Sequence, residues 1–149
     1  IYQHFKNKQA IADTLYGNIL DSLSISIDDI RRRNRKVADQ LREIVDLLFK
    51  LTEDAPEVIQ FLLVVNIREI LPEQKPVIET APFNKIRRVI QNGIKNGEIR
   101  SMDSLLAYSH FLGIIKHTLG LILSGDLPKS ADSYQSQAWT AAWGSIVKK

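Results

Sequence analysis

The sequence contains no cysteine, which excludes disulfide scaffolds and thiolate metal sites and is natural for a protein of the reducing cytoplasm. It has few runs alternating with period two, so a sheet-based fold is not expected. It lacks a nucleophile–base motif, a glycine-rich phosphate loop and a metal-binding signature, so neither an enzyme nor a bound cofactor or metal is expected. No signal peptide is visible. The most apolar stretch, Phe111 to Leu123, is interrupted by Lys116 and His117 and is too short to span a membrane. Charge of one sign is also scarce: a net +3 does not by itself argue for a nucleic-acid partner.

What remains suits one sizeable helical domain. The 149 residues can bury a real core, and 44% hydrophobic with 25% charged residues is the balance of a soluble globule. Apolar residues recur at helical spacing, and the prolines with Gly97 and Gly125 mark the ends of such runs. The spacing predicts a helix from about Lys8 to Leu20, a break over Ser22–Ser26, and a long helix from about Asp28 to Leu51. Pro56 opens a helix to about Leu71. Thr80 and Pro82 open one that stops at Gly97, and Ser101 or Asp103 caps one that ends at Gly125. A last helix spans about Ser130–Val147. The basic run Arg31–Arg32–Arg33, Arg35, Lys36 reads as a solvated helix face, or as a source of attraction to phosphates if that helix ends near DNA. The carboxylates Asp28–Asp29 and Glu53–Asp54 sit at expected helix starts, where they complement the dipole.

The first eight residues carry the functional signal. Tyr2, His4, Lys6 and Lys8 fall within about two helical turns, and Asn7 is a good N-cap for a helix beginning at Lys8. A helix N-terminus beside a lysine suits a phosphate. Tyr2 and Phe5 around His4, then a short break and Lys8, resemble the tail of the recognition helix in TetR (tetracycline-repressor-like) transcriptional regulators. Asn96–Gly97–Glu98–Ile99–Arg100 looks like the Gly–Glu step before that family's penultimate helix, and the helical plan is similar along the whole chain. The resemblance implies an all-α, TetR-like fold. Residues 1–20 would be the remnant of a helix-turn-helix head and the connecting helix, and 21–149 a helical effector-binding and dimerisation domain. Tyr2, His4 and Lys8 would touch the DNA backbone and Phe5 would pack inside the head. The base-reading residues would lie upstream of Ile1.

Two further patterns bear on partners. The helix before Gly125 carries a core stripe of Tyr108, Phe111, Leu112, Ile115, Leu119 and Ile122, and opposite it Ser109, Gly113, His117, Gly120 and Ser124. Glycine inside a helix costs about 1 kcal/mol against alanine, so two on one face point to close approach of another helix. With Ala138, Ala141 and Ala142 on the last helix, this suits a homodimer joined through a four-helix bundle. His110 and His117 share that face but have no further ligands at metal-binding spacing, and read as interface or surface residues. Asn66 falls on the stripe Ile59, Leu63, Ile70. It is either a structural hydrogen-bonder or the orienting group of an apolar pocket walled by Phe61, Tyr108 and Phe111. Arg87–Arg88 is either charge for an anionic ligand or a solvated face. The expected function is a ligand-responsive regulator, a repressor released from a palindromic operator by a small molecule. A dimerisation or adaptor module without ligand is the rival, and a small helical enzyme a more distant one.

Overall fold

The computed structural model describes the backbone from Tyr2 to Lys149 and the side chains from Asn7 onward. The architecture is all-α. The helices are α1 (Tyr2–Arg33), α2 (Val37–Asp54), α3 (Pro56–Ile59), α4 (Ile67–Ile70), α5 (Ala81–Asn96), α6 (Ser104–Leu123) and α7 (Asp132–Gly144). A π turn over Gln60–Val64 follows α3, and a 3-10 turn over Val77–Glu79 precedes α5. Among the described residues there is no strand, only an isolated bridge between Ile99 and Val147.

The first two expected breaks are absent. α1 runs unbroken for 32 residues, roughly 48 Å, through both Asn7 and Ser22–Ser26. Asn and Ser inside a helix cost only a fraction of a kcal/mol each, and neither glycine nor proline stands in either segment. Tyr16, Leu23, Ile27 and Ile30 meanwhile hold one face of α1 in the core. The expected division between residues 20 and 21 therefore falls inside a helix whose two sides share that core. The real break is at Asn34–Lys36. There the Asn34 amide donates to the Ile30 carbonyl at 2.9 Å and closes the C-terminus of α1. The basic run straddles this corner instead of forming a helix face. Arg31, Arg32 and Arg33 occupy the last turn of α1, where cations complement the dipole. They lie roughly 35 Å along the axis from Lys8, so they cannot add to attraction at that end.

The carboxylate pairs are structural, but not at helix starts. Near the C-terminal end of α1, Asp28 binds Lys85 of α5 at 2.7 Å, and Asp29 binds Arg33 at 2.9 Å. Glu53, at the end of α2, accepts the Ala131 N–H at 2.6 Å just before α7.

α2 is the hub. Val37, Leu41, Ile44, Val45, Leu48 and Phe49 are buried, and the helix touches α1, α3, α5, α6 and α7. Its N-terminus is capped from a distance. The Glu98 carboxylate accepts the Val37 N–H at 3.0 Å and the Ala38 N–H at 3.3 Å. Asn96 orients Glu98 by donating its amide to the carboxylate and accepting the Glu98 N–H, both at 3.0 Å. Gly97 takes the left-handed conformation (φ 87°) that ends α5 and turns the chain. One turn earlier, a Cβ on Gly93 would stand 2.6 Å from Ile99 Cδ1 and 2.9 Å from Val37 Cγ1, so only glycine lets α5 approach this corner. The C-terminus is tied to the same step: the Lys148 N–H donates to the Glu98 carbonyl at 3.1 Å.

Burial raises the Glu98 carboxyl, but the Val37 and Ala38 amides with Asn96 and Lys36 outweigh it, and the net shift is downward. The cap is then complete above the ordinary glutamate value of about 4.3 and is lost as pH falls through the lower folded value. Glu98→Gln should cost about 1–2 kcal/mol in urea denaturation at neutral pH. The deficit should shrink below about pH 4. Equal midpoints at neutral pH would show that the cap carries no stability.

Candidate ligand pocket

The chain between α3 and α5 does not continue as the helix expected to Leu71. Val65 is extended, and Asn66 restarts the chain as the N-cap of α4, its side chain accepting the Arg68 N–H at 3.1 Å. Asn66 is exposed, so it is not the buried amide its spacing suggested, and Ile70 is exposed as well. The break supplies the reason. Ile59 and Leu63 keep the inner face, but the extended Val65 interrupts the helix, so Asn66 and Ile70 belong to a new one and no longer follow the stripe.

This irregular segment roofs a pocket of about 480 Å³. Leu62 to Arg68 form one side, Pro76–Ile78 and Phe83 another, and Tyr108, Ser109, Leu112, Gly113 and Lys116 of α6 the third. Volume and apolar lining are those of a small-molecule site. A second hollow of about 420 Å³ shares Leu63, Val64, Gly113 and Lys116, and extends past His117 to Gly120 and Leu121. On the other side of the π turn, Leu62 also lines a smaller apolar hollow with Leu15, Ile19 and Leu23 of α1.

Of the four expected pocket residues, Asn66 sits at the rim and Tyr108 in the wall. Phe61 and Phe111 are elsewhere. Phe61 meets Tyr16 of α1 edge-on, ring centroids 5.5 Å apart. Phe111 is fully buried and packs edge-on against Trp139 of α7. Spacing places an aromatic on the correct helix but not against the correct neighbour. Arg68, Lys116 and the Leu62–Ile67 wall had no signal in the periodicity, because the pocket is made where the helix stops being regular.

Two buried polar atoms near this region have no hydrogen-bond partner among the described residues: the Tyr16 hydroxyl and Arg87 Nε. Burial raises the Tyr16 hydroxyl above its ordinary pKa. It raises Tyr108 much further, and the Arg87 charge offsets only part of that. Both phenols are therefore neutral hydrogen-bond donors at physiological pH. Arg87 follows Phe83 by one helical turn on α5, whereas Arg88 is exposed.

The remaining expected surfaces divide. Ser109, Gly113, His117 and Ser124 are exposed and Gly120 is half-buried, so this face of α6 is open within the chain. A side chain at Gly113 or Gly120 would meet nothing within 4 Å. Ala141 is exposed too, but Ala138 and Ala142 are buried inside the chain, filling the space beside α6 that was assigned to a partner. α6 is also longer than the Phe111–Leu123 stretch suggested. It is the one helix among the described residues with the length and mean hydropathy (1.3) to cross a membrane. Its inner side, with Phe111, Ile115 and Leu119 fully buried, is that of a core helix. No group of three or more His, Asp or Glu among the described residues could hold a metal. Lys8 is exposed in the interior of α1, so it has no orphan helix N-terminus beside it; the side chains of Tyr2 and His4, like that of Phe5, lie outside the described residues. No protein-family model matches the chain, and no curated protein matches it in sequence.

Tyr16→Phe removes a buried hydroxyl that has no partner among the described residues. It should leave stability unchanged or raise it by up to about 1–2 kcal/mol in thermal or urea unfolding. A clear loss of stability would show that the hydroxyl is hydrogen-bonded in solution.

Proposed function

We propose that the chain is the effector-binding and dimerisation part of a TetR-like, ligand-responsive DNA-binding regulator, acting as a repressor. The observation that carries this reading is the contact between Tyr16 of α1 and Phe61 of the π turn that walls the pocket. A small molecule seated under Leu62–Val64 would press on the same turn that holds α1. α1 in turn leads to Tyr2, His4 and Lys8, the residues proposed to meet the DNA backbone. A ligand can shift such a system only through different affinity for the two arrangements. The π turn is the physical element for this, a locally irregular segment between two hollows that share Leu62.

The dimer follows from α6. Exposed leucines beside a small-residue helix face favour a second helix laid against it. Here one side faces the core, while Leu105 and Leu106 near its start are 42% and 49% exposed, and the Ser109–Gly113–Gly120 face is open. A partner's α6 laid there would cover the apolar surface and close the hollow that runs from Gly113 to Gly120. The same open face is what favours the rival reading, a helical dimerisation or adaptor module without a ligand. Ligand-dependent release from DNA separates the two.

Gly120→Leu should convert the dimer to monomer in light scattering at micromolar concentration. Its monomer should stay folded, since the new side chain points into open space within the chain. A monomeric unmodified protein would remove the interface. In the full-length protein, Lys8→Ala should weaken binding to all DNA sequences and lower the salt slope by about one unit, as for one lost phosphate contact. Unchanged affinity and slope would remove Lys8 from the DNA surface.

A further inference from the structure

The charge around the pocket is of one sign. Arg68 and Lys116 line it, and no aspartate or glutamate does. Arg87 stands behind the wall, close enough for its charge to act on Tyr108. Its Nε is sealed from solvent with no acceptor. Among the described residues none of these three cations takes part in an ion pair, although Arg32, Arg33 and Lys85 elsewhere all do. Arg68 and Lys116 are exposed and solvated, so they place positive charge at the pocket mouth without a desolvation cost, whereas the buried Arg87 Nε, without an acceptor among the described residues, is the atom an incoming anion would relieve. Donors are present as well, in the Ser109 hydroxyl and the neutral Tyr108 phenol. Apart from Asn66 at the rim, the rest of the wall is apolar, mostly the aliphatic side chains of Leu62, Leu63, Val65, Ile67, Val77 and Ile78.

We infer that the pocket takes an apolar molecule bearing one carboxylate, its chain or ring against the Leu62–Ile67 wall and its carboxylate among Arg68, Lys116 and Ser109. This rests on the pocket reading above and adds the chemical class of the ligand. Arg–carboxylate hydrogen bonding supplies direction, and the pocket of about 480 Å³ has room for a body of medium length.

Calorimetric titration with decanoate, decan-1-ol and decylammonium tests the charge separately from the cavity. Decanoate should bind about tenfold more tightly than decan-1-ol, and decylammonium more weakly than either. The double variant Arg68→Ala, Lys116→Ala should lose the preference for decanoate and keep its affinity for decan-1-ol. Both side chains are exposed, so the fold should be unaffected, with an unchanged melting temperature as the control. Equal affinities for decanoate and decan-1-ol, or a preference that survives in the double variant, would overturn the carboxylate proposal and leave the pocket standing. No binding of any of the three would overturn the pocket and the proposal together.

Discussion

The fold hangs on one carboxylate. Glu98 lies 61 residues from Val37 in sequence, yet it supplies the hydrogen-bond acceptors for the first turn of the central helix. Without it, the α2 N-terminus would have orphan donors at the point where α1 turns back. The requirement propagates. Gly93 must be small for α5 to bring Glu98 this close, Gly97 must be left-handed to aim it, and Asn96 must hold it. The C-terminal residues then bond to the same step through the Glu98 carbonyl. A pattern first noticed as a local turn signature thus serves as a long-range clamp between α2, α5 and the chain end.

With α2 fixed, the other helices are arranged around it, and the arrangement leaves two kinds of surface unsatisfied. One is the outer face of α6, where Leu105 and Leu106 are exposed beside the small residues Ser109, Gly113 and Gly120. The other is the segment from Gln60 to Ile70, where regular helix fails. A π turn forgoes good packing geometry for a shifted register. Here the shift turns Phe61 toward Tyr16 and opens space under Leu62–Val64. The proposed ligand site, the proposed dimer face and the helix leading to the proposed DNA contacts therefore adjoin through a few shared residues: Gly113 and Lys116 on one side, Phe61 and Leu62 on the other.

Long helices with one apolar stripe were legible from spacing alone. α5, α6 and α7 lie close to where Pro82, Gly97, Asp103 and Gly125 placed them, because caps and glycine stops act locally. Breaks inferred from polar residues without glycine or proline were not real. Ser22–Ser26 continues as helix because Leu23 and Ile27 bury against the core, and burial outweighs a small propensity cost. Tyr108 and Phe111 lie on one regular helix, and spacing alone did not tell which of them lines the hollow. Asn66 was misread because the helix breaks at the extended Val65, which periodicity does not reveal.

By itself the sequence determined the helical class, the central stripes, the cap chemistry and the concentration of small residues on one side of α6. Each of these depends on neighbours within a turn or two. Only the tertiary structure decided where α1 ends, which alanines are buried within the chain, and that three cations without an ion pair among the described residues gather around one apolar hollow. Those outcomes depend on contacts between segments tens of residues apart. A helical period repeats without regard to them, and an interruption, as at the extended Val65, frees the side chains that follow from the earlier stripe.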